Sequence, residues 1–465
     1  MQAAKLKTFG KDDVLFQNLS ALALENNKID PSLYTKYNVK RGLRNSNGTG
    51  VLVGLTEISY VYSYILEGNK KTPVEGRLYY RGYDVFDLVR DFQEDKRFGF
   101  EETCYLLLFG ELPDKETLAA FKDLLGKNRE LPNGFTEDMI LKAPSNNIMN
   151  KLARSVLAAY CYDDTADDLD VSNNLRQAIE LIARFPTMVA HGYAAKKRYF
   201  DNESLHIHSP RADLSTAENL LYMVRPHCDY TALEAEILDL ALVLHAEHGG
   251  GNNSSFATHV VSSTGTDIYS AIAAAVGALK GWKHGGANIK VIEMMSDIQK
   301  NLRDWENEEE VASYLTKILN KEAFDKTGLI YGIGHAVYTY SDPRTILLKQ
   351  KAAELAKEKG LEKEYKLYEL IEKLAPAVFA QNKESDKIIC ANVDFYSGFV
   401  YKALNIPPDL YTPIFAVARI VGWCAHRLEE LVSGGKVIRP AYKDVSERRP
   451  YVPIKDRNEI DCVNF

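Results

Sequence analysis

Four short stretches of the 465-residue chain carry residue types suited to proton chemistry. His245 and His248 stand in H-A-E-H-G-G-G-N-N-S-S. His284 stands in K-H-G-G-A-N, His335 in G-I-G-H-A-V-Y, and Asp394 in N-V-D-F-Y-S-G. The glycines beside the histidines let backbone come close to a ligand. Arg344, in D-P-R, and Arg419, inside I-F-A-V-A-R-I-V-G-W-C, add guanidinium groups. Imidazoles, guanidiniums and one carboxylate set among small or apolar residues are the means for moving a proton on a polyanionic substrate.

Taken singly, these residues are less telling. His248 falls four positions after Leu244 on an apolar helical face, and alone it reads as a core histidine. His245 and His248 are three apart and suit one metal ion, yet H-A-E-H is neither H-E-x-x-H nor H-x-x-E-H, so no zinc motif is met. His284 precedes two glycines and a helix start, where the helix dipole disfavours imidazolium. A neutral imidazole there can hydrogen-bond a carbonyl that is becoming an enolate. H-G-G also resembles an esterase oxyanion loop, but the chain has no G-x-S-x-G. Val337 stands where a dinucleotide fingerprint around Gly332 and Gly334 needs a third glycine. Asp394 follows I-I-C-A-N-V, and apolar surroundings raise a carboxylate's pKa; a helix cap is the alternative. Arg419 is a cation on an otherwise apolar helix, costly to bury unless an anion meets it. Arg344, in its turn, and Arg439, before Pro440, each read alone as surface charges.

The elements that must position these residues are mostly helical. Residues 56–66 alternate as a strand, N-K-K-T-P at 69–73 reads as a turn, and 76–83 reads as the returning strand. From Phe86 onward the apolar period is helical nearly throughout: Phe100–Phe109, Ile148–Tyr160, Leu175–Ala194, Ile268–Leu279, Lys387–Leu404 and Pro413–Leu431. Lys- and Glu-dense segments at Asp304–Glu310 and Lys349–Lys373 mark solvent-facing helices. The predicted organisation is an N-terminal helical extension (1–50) with a helix from Val14 and a linker at Asn45–Gly50. A large unit built from 51–290 and 391–465 then encloses a smaller unit at 291–390.

Composition narrows the function. A net charge of −7 argues against a nucleic-acid partner. The longest apolar run, near Ile268–Leu279, is too short to span a membrane, and the N-terminus lacks an export core. A cytoplasmic protein is expected. The six cysteines show no CxxC and suit reduced thiols.

In this order, G-L-T, L-Y-Y-R-G-Y, F-E-E-x-x-Y-L-L-L-F-G-E-L-P, E-H-G-G-G-N, H-G-G-A-N, G-H-A-V-Y…D-P-R and N-V-D-F-Y-S-G make the chain resemble the citrate synthase family, from about Gly54 to Arg449. The resemblance implies an all-α fold with a large and a small helical domain and one small β-hairpin, in a homodimer. It implies condensation of oxaloacetate with acetyl-CoA and hydrolysis of the thioester, with acetyl-CoA a co-substrate and no further cofactor or metal. Asp394 would take a methyl proton, His284 would stabilise the enol, and His335 would polarise the ketone. His248, Arg344 and Arg419 would hold oxaloacetate, with Arg439 reaching in from the partner subunit. Ala336 and Thr339 stand where many bacterial relatives carry basic residues, so the groups that hold the CoA phosphates are not given by the motifs. The helical front end differs from the β-rich one of NADH-regulated hexamers, which implies a dimer without that control. The alternatives are a 2-methylcitrate synthase using propionyl-CoA, a non-catalytic binding protein on the same fold, and a zinc hydrolase built on His245 and His248.

Overall fold

The tyrosine- and serine-alternating stretch folds as β1 (Ser59–Glu67), paired antiparallel with β2 (Lys70–Tyr80); β3 (Tyr83–Asp84) completes a three-stranded sheet in the order β1-β2-β3. The structure is a computed structural model that describes residues 14–68, 70–383 and 388–457. The chain reverses earlier than the expected turn at 69–73: Gly68 has φ 61° and Glu67 pairs with Lys70. Pro73 lies inside β2 opposite Tyr64, and the register slips between Tyr62 and Tyr64, which spares the ladder a donor that proline lacks. The serine side of β1 is the buried one. Ser59 Oγ hydrogen-bonds Glu247 Oε1 at 3.2 Å and accepts the Gly249 N–H at 3.0 Å, while Ser63 Oγ donates to the Val337 carbonyl at 2.9 Å. Tyr60 is left outside, stacked on Tyr79.

The rest is helical. The helix Tyr411–Ser433 is buried on nearly all sides as far as Leu428 and runs through the centre of the molecule. It packs against Val171–Phe200, Asn253–Ser262, Phe100–Phe109 and Ala232–His245. A Cβ on Gly422 would stand 2.6 Å from the Ala246 carbonyl oxygen, so only glycine permits that crossing. Ala232–His245 starts from a capping box, in which Thr231 Oγ1 accepts the Glu234 N–H and Glu234 reaches back to the Thr231 N–H. The helix expected at Leu175–Ala194 runs further, Val171–Phe200, and passes through Pro186.

Two expected boundaries move for local reasons. Lys349–Lys373 is two helices, Pro343–Lys359 and Glu362–Lys383, because Gly360 adopts φ 66° and ends the first. The helix expected at Lys387–Leu404 starts at Val393, where Asn392 caps it by accepting the Asp394 N–H; residues 384–387 lie outside the described residues.

The described residues fall into two units, Gly54–Ile438 and a second one that joins those up to Val53 to those from Arg439 onward. In the second unit, Val14–Asn26 and Ser32–Lys36 are helical. Asn45–Gly50 is a closed turn, not an open linker: the Asn45 N–H donates to the Thr49 carbonyl at 2.8 Å, and Arg44 bridges Gly50.

Candidate active site

Arg419 lies in the middle of the central helix and is 0% exposed. Its Nε donates to the His245 carbonyl at 2.7 Å, while Nη1 and Nη2, both buried, have no hydrogen-bond partner among the described residues. Two buried donors of a permanent cation without an acceptor are expensive, and an anionic ligand relieves that cost. Arg344, 4% exposed, is held differently. Asp342 caps the helix Pro343–Lys359 with Pro343 at its first position, accepts the Arg344 N–H, and takes Nε and Nη2 of the same residue at 3.0 and 2.8 Å. Arg344 is therefore aimed as well as charged.

Two histidines meet beside these guanidiniums. The rings of His248 and His335 lie edge to face at 5.3 Å, and Tyr338 lies 4.7 Å from His335. Burial, then the charges of Arg344, His335 and Arg419, push His248 well below the ordinary histidine pKa, so it is neutral; among the described residues its buried Nε2 has no hydrogen-bond partner, nor has the Tyr338 hydroxyl. The backbone N–H groups of Val337 and Tyr338 both donate to His335 Nδ1 at 3.0 Å. An atom that accepts carries no hydrogen, so the ring hydrogen is on Nε2 and that nitrogen is a donor.

Asp394 occupies the first turn of Val393–Ala403. Its carboxylate makes no hydrogen bond among the described residues. Burial raises its pKa to about 6, against the opposing pull of Arg344 and Arg419. His284 sits in the turn between Ile268–Lys280 and Ala287–Asn301; burial and then Arg419 lower its pKa to about 4. Its Nε2 meets Ser254 Oγ at 3.2 Å. Ser254 already accepts the Trp423 Nε1–H at 3.1 Å, and it has one hydrogen to give, to Asn252 Oδ1 at 2.9 Å or to His284. When it goes to His284 Nε2, the imidazole carries its own hydrogen on Nδ1 and becomes a donor on its other side.

Six of the seven residues singled out in the sequence thus fall within one electrostatic neighbourhood: the charges of Arg344 and Arg419 act on His248 and Asp394, His335 acts on His248, and Arg419 acts on His284. Arg439 is exposed and belongs to the second unit. His245 is a packed core group, stacked on Phe415 at 4.4 Å. Sequence reasoning gave no role to Asp342, Ser254, Trp423 or Tyr338. Asp342 had a signal, since Asp-Pro marks a helix start. Trp423 had none, because a tryptophan in an apolar helix reads as core.

The site also borders a second cluster. His426 Nε2 lies 3.2 Å from Glu247 Oε1 and its Nδ1 lies 3.2 Å from His259 Nε2; His259 Nδ1 meets Glu430 at 3.2 Å. Among the described residues no group of three or more His, Cys, Asp or Glu side chains is arranged to hold a metal, and the described cysteines are free. No helix among the described residues is long and apolar enough to cross a membrane.

The comparisons with known proteins place this helical fold among acyl-transferring enzymes. The family profile described as "Citrate synthase, C-terminal domain" matches residues 45–441, and the chain belongs to the citrate synthase family. It is 36% identical over 424 residues to a citrate synthase of Haloferax volcanii, covering 90% of this chain and 99% of that protein. It is 32% identical over 382 residues to a 2-methylcitrate synthase of Shewanella oneidensis, covering 82% and 92%. The fold aligns with TM-score 0.72 and 26% identity to a citrate synthase of Thermoplasma acidophilum, over 90% of this chain and 99% of that one, in a ternary complex with carboxymethyl coenzyme A and oxaloacetate.

Proposed function

We propose that the chain condenses oxaloacetate with acetyl-CoA and hydrolyses the resulting thioester to citrate and CoA. The observation that carries this is one carboxylate without a hydrogen-bond partner, its pKa raised to about 6, among two buried guanidiniums and neutral imidazoles. A methyl group beside a thioester is a weak carbon acid, so its proton leaves only if a base and an enol stabiliser act together. Asp394 takes that proton, and His284, through Nδ1–H, donates to the thioester oxygen as negative charge develops there. His335 Nε2–H donates to the ketone of oxaloacetate, which draws electron density from the carbon under attack. Arg344, Arg419 and His248 hold the two carboxylates, the arginines as planar forks suited to them. The enol carbon bonds to the ketone carbon, and water then cleaves the thioester.

The same reading makes the protein a cytoplasmic homodimer, with Arg439 reaching the partner's oxaloacetate. It takes residues 291–390 as a small domain closing over a large one built from 51–290 and 391–465. It needs no metal or further cofactor, because base, enol stabiliser and carbonyl polariser are all side chains. A 2-methylcitrate synthase would use the same residues on propionyl-CoA, since one methylene changes specificity by only about 1–3 kcal/mol. Release of free thiol from acetyl-CoA and propionyl-CoA in the presence of oxaloacetate tests the choice. Higher kcat/KM with acetyl-CoA is expected, and a clear propionyl preference reverses the assignment.

A further inference from the structure

The inner face of β1 carries unusual residues for a core. A strand face that packs inward favours β-branched and aromatic side chains, yet Ser59 and Ser63 are 8% and 1% exposed while Tyr60 is 58% exposed. Buried hydroxyls need hydrogen-bond partners, a demand that apolar residues filling the same space would not make. What these two hydroxyls hold is therefore informative. Ser63 Oγ donates to the Val337 carbonyl at 2.9 Å. The same peptide group carries the Tyr338 N–H, which donates to His335 Nδ1 at 3.0 Å. A trans peptide is planar with its C=O and N–H pointing opposite ways, so fixing the oxygen aims the hydrogen. Ser59 does the equivalent for His248. Its Oγ accepts the Gly249 N–H on one side of that histidine and donates to the Glu247 carboxylate on the other. Tyr80, fully buried and paired with Ser59 across the strands, shares its hydroxyl hydrogen between the Val243 and Glu247 carbonyls, at 2.9 and 3.2 Å.

The sheet also bends to reach the His335 loop. Tyr62 pairs with Arg77 and Tyr64 with Pro73, so Val74, Glu75 and Gly76 stand opposite Ser63 alone. In this bulge the Gly76 N–H donates to Ser341 Oγ at 3.2 Å, and Ser341 Oγ donates to the Glu75 carboxylate. A Cβ on Gly76 would lie 2.7 Å from the Tyr338 ring. Bulges re-aim strands beside functional sites, and this one seats residues 337–341 against the strand that also carries Ser59.

We infer that Ser63 and Ser59 are positioning residues for the reaction: Ser63 holds His335 in the tautomer that donates from Nε2, and Ser59 sets the pose of His248. The inference rests on the oxaloacetate reading above and deepens it. The small sheet becomes the common frame of two imidazoles whose rings lie 5.3 Å apart. Each serine acts through a peptide group or a carboxylate, not on the substrate.

Steady-state thiol release by S63A and S59A tests this, together with NMR of the protein labelled with 15N in its histidine rings, the His335 signals being assigned by their loss in H335Q. One hydrogen bond is worth roughly five- to tenfold. S63A is expected to lower kcat by about that factor, with KM for oxaloacetate within about twofold of wild type. Its His335 Nδ1 signal should move from the acceptor position toward that of an N–H. S59A is expected to raise KM for oxaloacetate about tenfold and leave kcat within about twofold. S63C keeps the shape and a weaker donor, so it should fall between wild type and S63A, and it carries the test where S63A does not fold. Unchanged kcat and unchanged His335 nitrogens in S63A overturn the assignment, as does an equal fall in kcat in both variants that follows their Tm. A wild-type protein that releases no thiol in the presence of oxaloacetate defeats the functional reading instead, and the His335 nitrogens then decide on Ser63 by themselves.

Discussion

Two clusters of buried cationic and imidazole groups share the same helices and were treated oppositely by the fold. Arg419 and His426 are seven residues apart on one helix, which is two turns along one face, and both are 0% exposed. His426 meets Glu247, also 0% exposed, and His259. Among the described residues Arg419 makes one hydrogen bond, from Nε to a carbonyl oxygen, and lies over the Phe415 ring at 4.8 Å. Burial disfavours charge on both. At His426 the Glu247 carboxylate overrides it and raises the pKa to about 9, whereas His248, beside Arg344 and Arg419, is driven well below its ordinary value. Equal burial therefore says nothing about role. Of the two cationic groups on this helix, His426 has a carboxylate built in beside it, whereas two nitrogens of Arg419 have no acceptor among the described residues.

The contrast breaks most visibly at Asp394. D394N is expected to lower kcat about a thousandfold while oxaloacetate still binds, as the loss of a general base does, measured by thiol release and by oxaloacetate-induced thermal stabilisation. Because the free enzyme's carboxylate has a pKa of about 6 and must be ionised to act, wild-type kcat/KM should fall as pH drops below about 6. The same raised pKa means the folded state binds this proton more tightly than the unfolded one, so stability from this group is present at low pH and fades as pH rises through about 6. D394N should then be more stable than wild type at pH 7.5, by about 2 kcal/mol, with the difference vanishing near pH 4. Equal turnover by D394N and wild type sinks the assignment of the base.

The partnered cluster should respond in the other sense. H426Q leaves the Glu247 carboxylate buried without its cation and is expected to cost about 3–5 kcal/mol. His426, raised, contributes stability that is full below 6.5 and lost as pH climbs through about 9. Glu247, which burial would raise but His426 holds at about 2, contributes above 4.5 and loses it toward pH 2. The penalty in H426Q should be largest near pH 6 and shrink by pH 9.5, read from urea midpoints at the two pH values. A penalty independent of pH means the pair acts by packing alone.

The smallest effect on the fold is expected at Arg419 itself. R419M removes a buried cation that lacks an anion, so the apo protein should lose no stability, and similar-volume apolar replacements of buried charge often gain some. Oxaloacetate affinity should nevertheless fall about a hundredfold through the lost charged contacts, seen as loss of the oxaloacetate-dependent rise in Tm. An apo protein destabilised as much as H426Q erases the distinction between the two clusters.

Much of this was legible in the chain. The mostly helical period from Phe86 onward and the single β signal before it are found in the fold, although Asp304–Glu310 is helical only from Glu308 and Lys349–Lys373 breaks at Gly360. What sequence reasoning could not supply was pairing. Nothing in the spacing says that Glu247 faces His426 rather than His248, because a helix end and a tight turn send adjacent side chains in opposite directions. Nor does spacing say that Ser254 serves both Trp423 and His284, 169 and 30 positions away. The hairpin turn was misplaced because Lys70–Thr72 looks like a loop, yet Gly68 had already supplied the left-handed residue that a tight reversal demands.

Gly332 and Asn392 have a consequence for how the cleft can move. The Asn392 N–H donates to the Gly332 carbonyl, the Gly334 N–H donates to the Cys390 carbonyl, and Ile333 bridges Ala391, so the loop before His335 and the segment before Asp394 are stitched side by side. A Cβ on Gly332, at φ 80°, would collide with Phe395 at 2.9 Å or less. The loop before His335 and the segment before Asp394 are therefore tied to each other along this seam, so a shift in one is passed directly to the other.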